Sequence, residues 1–384
     1  MRRLLALPAL LCFLTLGAFR EGARVEGAEA AAWEPSKTWA LLIGVLEWET
    51  PSLTTFPKPG RVDRILEAAL YERGVPRDHV TFLEDRAATL ARCREALRAT
   101  AETAGAGSTL VLYYAGHGLR IGDKTFFAPY DVDPKDVART GLGHDEIARV
   151  LATTWKGARL LLMADSCESG GLGAVVPTFA GAGAKAASLT SAMETHVSTG
   201  SWTFTASIVR ILSGDGVPDL DGDGSITFDE ADRFVHREMR WRESQWTSAR
   251  RSQAFEPGFV LATVKPGAAI RRVPGSRPIG DYAEVEWHGR WWRGQVLDVD
   301  DAGRTRVRYL GYDASDDEWV EPSRLRDLPP TSLRPGTRVE VASSGTWWPA
   351  VVRDTHAEFA LVRYDGYVAA WDEWVAAHRL RKGP

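Results

Sequence analysis

The chain has 384 residues, 44% hydrophobic and 26% charged, the composition of a soluble globular protein with material for a real core and room for two or three domains. Its formal net charge is -4, and its Arg and Lys are spread among acids, so nothing supports nucleic acid as a partner.

The first segment reads as an export signal. Arg2 and Arg3 precede an apolar run from Leu4 to Phe19, too short and wrongly flanked for a membrane-spanning helix. Ala28 and Ala30 offer a small-x-small site with cleavage before Ala31, so 1–30 reads as a signal peptide with no stable membrane anchor after cleavage, an uncleaved anchor being the competing reading. The expected location is secreted or periplasmic. Cys12 departs with the signal, leaving Cys93 and Cys167, too few for a disulfide framework.

From 38 to 264, near-continuous apolar strands alternate with amphipathic helices. "WALLIGV", "HVTFLED", "STLVLYYAGHG" and "ARLLLMADSC" read as strands; "RVDRILEAALYERG", "ATLARCREALRATAETAG" and "GHDEIARVLATT" read as helices. The pattern predicts an α/β fold, a mostly parallel sheet with helices on both faces. Cys93 falls on a helix and reads as a buried small side chain. A Gly/Ala-rich stretch from Gly170 to Ser188 reads as a mobile loop, with self-cleavage after Lys185 or a plain flexible loop as its two readings.

In such sheets reactive groups gather at the carboxyl ends of strands. One strand ends at His117, between Gly116 and Gly118, and another at Cys167. An imidazole can take the proton of a thiol and return it to a leaving amine. The N–H groups of Gly118 and Cys167 are candidates for stabilising an oxyanion.

"YYAGHG" with "DSCESGG" resembles the caspase/metacaspase superfamily of cysteine peptidases, closer to the metacaspase and bacterial caspase-like branch, over about Trp39 to Val264. The resemblance implies His117 as general base, Cys167 as nucleophile and a protein or peptide substrate. It also implies Asp165 in the pocket for the residue before the scissile bond, hence cleavage after Arg or Lys. Asp63 is a second carboxylate candidate for that pocket, against the reading of an exposed helix-start acid. The chain departs from the pattern at Ala115 and Glu168, and a carboxylate next to the nucleophile raises a thiol pKa. Two alternatives stay open: an inactive peptidase-like binding protein, and an asparaginyl- or acyl-transferring relative.

"DLDGDGSITFDE" has EF-hand spacing, with Asp219, Asp221, Asp223, Ser225, Thr227 and Glu230 as ligands to calcium and Gly224 at the turn. No organic cofactor is expected. Residues 265–280, rich in Pro, Gly and Arg, read as a linker. Beyond it lie eight of 15 Trp and five of nine Tyr, in an internal repeat at 281–328 and 335–383. "VEWHGRWWRGQVL" matches "VASSGTWWPAVVR", and "RYLGYDASDDEWV" matches "RYDGYVAAWDEWV". These units resemble Tudor-like and chromo-barrel modules, small all-β barrels whose aromatics can cage a cation. Trp292, Tyr309, Tyr312 and Trp319, with Trp348, Tyr364, Tyr367 and Trp374, are the cage candidates, core packing being the competing reading and the ligand open.

Overall fold

The computed structural model describes residues 31–192, 201–343 and 346–383. Residues 1–30, the expected signal peptide, with Cys12, lie outside them. No helix among the described residues is long and apolar enough to cross a membrane.

Chain order runs β1 (Thr38–Gly44), α1 (Asp63–Glu72), β2 (Val80–Glu84), α2 (Leu90–Thr103) and β3 (Thr109–Ala115). A hairpin follows, β4 (Gly118–Ile121) and β5 (Lys124–Phe127), then α3 (Val137–Thr140), β6 (Leu142–Gly143), α4 (His144–Thr154) and β7 (Arg159–Asp165). Next come β8 (Lys185–Thr190), α5 (Thr203–Leu212), β9 (Ser225–Thr227), α6 (Phe228–Glu238), β10 (Ser248–Arg251) and β11 (Val260–Thr263).

Six strands form one sheet in the order β10-β8-β7-β3-β1-β2, parallel except at the β10 edge. Alternate residues of its central strands point to opposite faces, and both faces are dry. Leu41, Ile43, Leu112, Tyr114 and Leu162 pack under α2 and α4, while Ala40, Leu42, Val111 and Tyr113 pack under α1, α5 and α6. This explains why the strands read as unbroken apolar runs. Chain order reverses between β1 and β3, so the crevice that ligands favour opens at the carboxyl ends of those strands.

Two differences from the sequence reading concern the stretch after Cys167. Ser169–Ala182 is a run of 3-10 helix, with Leu172, Val175, Val176 and Phe179 buried in the core under α4. Lys185 is no loop residue either. It opens β8, pairs with Arg159 across the sheet and forms an ion pair with Glu256. The Lys185–Ala186 bond thus opens a strand paired in parallel with β7 and does not lie in a free loop.

The C-terminal region builds the same sheet twice. The first comprises β12 (Tyr282–Trp287), β13 (Arg290–Val299), β14 (Thr305–Tyr309), β15 (Glu318–Val320) and β16 (Leu325–Arg326). The second comprises β17 (Arg338–Ser343), β18 (Thr346–His356), β19 (Phe359–Tyr364), β20 (Glu373–Ala376) and β21 (Leu380–Lys382). Both are antiparallel half-barrels with identical strand order. Each long second strand bends at an equivalent bulge, Val296/Asp298 and Val352/Asp354. They are docked on the α/β part rather than strung from it. Trp246 packs on His356, Phe359 and Trp374, and Arg240 forms two 2.6 Å bonds to Glu358.

Candidate active site

Strands β3 and β7 pair in parallel, residue by residue, until Ala115 stands opposite Asp165. Each chain then runs two residues further, to His117 and to Cys167, so both side chains leave the sheet at the same edge. Gly118, opening β4, closes the gap between them. A Cβ at that position would lie 1.7 Å from the Cys167 carbonyl oxygen, so only glycine lets the hairpin approach so near.

The imidazole is fixed from three sides. Its Nε2 lies 2.8 Å from the Thr54 carbonyl oxygen, which can only accept, so Nε2 carries the hydrogen and Nδ1 keeps its lone pair. The ring lies between Trp48 and Phe56, with centroids 4.4 and 4.7 Å away. Burial there lowers the His117 pKa below its ordinary 6.5, keeping the ring neutral and free to accept a proton at pH 7. Thr54 contributes through its backbone, so no side-chain pattern in the sequence signals it.

Cys167 is half-buried, whereas Cys93 is buried within α2 and its thiol is pushed up to about 12. Glu168 holds a left-handed backbone, φ 55, and its carboxylate turns to Arg120, 3.6 Å away. The guanidinium therefore offsets the charge that sequence reading expects to burden the thiol.

A cavity adjoins Cys167, walled by Leu46, Phe56 and Pro57 of the β1–α1 loop and by Trp202. Asp165 and Ser166 line it too. One Asp165 oxygen accepts from Thr205 at the start of α5, from Oγ1 at 2.6 Å and from the backbone N at 3.2 Å. Burial nonetheless pushes the Asp165 pKa up to about 6, against the pull of those bonds. The Ser166 hydroxyl is buried with no hydrogen-bond partner among the described residues. It is a polar group the sequence reading passed over, although it sits inside the quoted motif.

Asp63 is placed differently from either expectation. It is fully buried at the start of α1 and does not line the cavity. Arg61 grips both its oxygens, Nε at 2.8 Å and Nη2 at 2.6 Å, and reaches Asp85 as well at 3.1 Å. A carboxylate so neutralised has nothing left to offer a substrate cation.

At the far loop, the carboxylate oxygens of Asp219, Asp221 and Asp223 come within 4.8 Å of one another. Gly224 N donates to Asp219 at 3.1 Å and Ser225 N to Asp223 at 2.8 Å, which folds the loop around that point. These donors suit a hard cation. Glu230 is turned elsewhere. Its oxygens accept from Leu220 N and from Thr227 N and Oγ1, forming a capping box for α6. Glu230 and Thr227 thus serve the helix in this structure.

Residues 281–330 and 336–384 match the Agenet domain. No curated protein matches the chain. Among solved structures the chain is similar to a protein of Geobacter sulfurreducens, at 18% identity over 59% of this chain and 99% of that one, TM-score 0.42. It is also similar to caspase-1 of Spodoptera frugiperda, at 14% identity over 64% of this chain and 98% of that one, TM-score 0.40.

In the first Agenet module an open pocket is lined by Trp287, Trp292, Tyr309 and Tyr312, with Asp316 and Glu318 at its acidic side. Trp292, Tyr309 and Tyr312 are thus gathered in one pocket. Trp319 is not. It stands exposed under the Arg304 guanidinium, because its position on β15 faces away from the pocket. In the second module Trp348, Tyr364 and Tyr367 cluster likewise, joined by Trp371. Trp374 stacks on Trp246 instead and belongs to the docking contact. Trp287 and Trp371 were missed because neither has a counterpart in the other repeat, where Ser343 and Asp316 stand.

Proposed function

We propose that this chain is a cysteine endopeptidase of caspase-like fold that cleaves after Arg or Lys. Cys167 sulfur attacks the peptide carbonyl carbon while its proton passes to Nδ1 of His117. The imidazolium gives that proton to the departing amine, leaving a thioester. Water, deprotonated by the same nitrogen, then releases the acid and restores the thiol. The N–H groups of Gly118 and Cys167 are the donors proposed for the oxyanion.

One observation carries this reading: His117 and Cys167 leave paired strand ends side by side, with Gly118 flush against the Cys167 carbonyl. Specificity rests on the adjoining cavity. A guanidinium or ammonium entering it meets Asp165 and the unpartnered Ser166 hydroxyl, while an acidic side chain meets a buried like charge.

Three further elements complete the proposal. Calcium is held by Asp219, Asp221 and Asp223, with the Ser225 carbonyl and, after reorientation, Thr227 and Glu230; bound there, it supplies a structural clip between α5 and α6. The first Agenet module takes a cationic group of a protein or peptide ligand in its aromatic pocket. The enzyme acts outside the cytoplasm, after removal of 1–30.

Fluorogenic peptides ending in Arg, Lys, Asp or Asn test the central reading, assayed with and without calcium on the parent and on Cys167→Ala. Calcium-supported release from Arg and Lys peptides alone, lost in the variant, is the expected result. Release from Asn alone points to the asparaginyl relative. No release from a folded chain points to an inactive scaffold whose Agenet modules carry the function.

A further inference from the structure

Arg120 lies on β4, three residues beyond His117, and its side chain is only 4% exposed. Several contacts bear on it. Nε donates to Gly122 O at 2.8 Å, Nη1 lies 3.6 Å from Glu168, and Cζ stands 5.6 Å from the Trp371 ring of the second Agenet module. Glu168 directly follows Cys167. The chain Trp371–Arg120–Glu168 therefore runs from the second module to the turn that carries the thiol.

The two modules differ at this point. Where the first has Asp316 at the mouth of an open pocket, the second has Trp371, extending the aromatic cluster from Tyr367 at 6.0 Å toward Arg120. The first module leaves its pocket open to an outside ligand. The second meets a guanidinium of its own chain.

We infer that the second Agenet module braces the turn that carries Cys167, and that Arg120 is a positioning residue which Trp371 holds against Glu168. A carboxylate beside a thiol opposes its ionisation, and a guanidinium offsets it. An aromatic cover limits the water that would screen the pair and holds the guanidinium by cation–π attraction. The inference rests on Cys167 being the nucleophile, and its test needs no substrate.

The full chain is treated with iodoacetamide from pH 5 to 10, and alkylation of the Cys167 peptide is followed by mass spectrometry. The titratable and charged groups near the thiol are Tyr114 of β3, His117 between β3 and β4, Arg120 of β4, Asp165 of β7, and Glu168 itself. Arg120→Gln is expected to raise the apparent thiol pKa and slow alkylation at pH 7 by about threefold to tenfold. Trp371→Ala acts in the same direction by about twofold to threefold, and Trp371→Phe by less. The double variant is no slower than Arg120→Gln, and adding Glu168→Gln to either background restores the parental rate. Equal rates in Trp371→Ala and the parent, additive losses, or no rescue by Glu168→Gln each overturn the inference. Should Arg120→Gln fail to fold, by circular dichroism, the Trp371 series with and without Glu168→Gln decides it. A parental Cys167 no more reactive than a free thiol, and indifferent to His117→Ala, overturns this inference together with the peptidase reading. A reactive Cys167 indifferent to Trp371→Ala overturns this inference alone.

Discussion

Replacing Asp165 by Asn should make the protein more stable and less active. Both Thr205 bonds go to one Asp165 oxygen, so an amide oxygen in the same place keeps them. What the substitution removes is a buried charge, together with the hydrogen bond that the Ser191 side chain makes to it. The distance from the ordinary 3.8 to about 6 corresponds to roughly 3 kcal/mol against the ionised native state. Asp165 is 9% exposed to the cavity, and solvent there reduces the gain to about 1–2 kcal/mol. The sign follows from linkage. Between pH 3.8 and about 6 the native state binds more protons than the unfolded chain, so parental stability falls as pH rises through that window. The advantage of Asp165→Asn should therefore be near zero below pH 3.8, grow to about pH 6 and stay level above. Urea melts from pH 3 to 8, read as midpoint and slope, measure it. Cleavage after Arg should fall by at least about tenfold, because the pocket cation loses its counter-charge. A variant less stable than the parent at pH 8, or an advantage independent of pH, or undiminished Arg cleavage, refutes the reasoning.

Gly118→Ala puts a methyl 1.7 Å from a backbone oxygen, so the hairpin must move; a loss of about a hundredfold in turnover is expected, and parental turnover contradicts the packing. Saturating calcium should raise the melting temperature by about 5 °C, at roughly a hundred times its Kd, and Asp221→Asn should abolish the rise. Trp246→Ala removes the ring that packs on Phe359, His356 and Trp374; a loss of about 2–3 kcal/mol is expected in chemical denaturation. Trp287→Ala should weaken binding of a trimethyl-lysine peptide in titration calorimetry by about fivefold or more, while Trp319→Ala leaves it unchanged.

The main sheet was legible because its central strands are dry on both faces. Leu41 and Leu42 pack into opposite cores, so apolar runs and strand ends coincide, and His117 and Cys167 could be read from them. Residues acting through geometry were less visible. Thr54 acts by its carbonyl, and the Arg61 that silences Asp63 sits only two positions away yet gives no sign of burial in the sequence. Ser169–Ala182 looked mobile for its glycines, although Leu172, Val175, Val176 and Phe179 already marked one apolar face. The aromatic repeats showed which residues match; the structure divides them where they differ, at Trp287 and Trp371.

The most direct test is covalent trapping. An arginyl acyloxymethyl ketone requires a thiolate, a neighbouring proton carrier and a pocket for a cation in one place. A single stoichiometric adduct on Cys167, lost in His117→Ala and weakened in Asp165→Asn, is the predicted result. No adduct, an adduct on another residue, or equal labelling of His117→Ala contradicts the account.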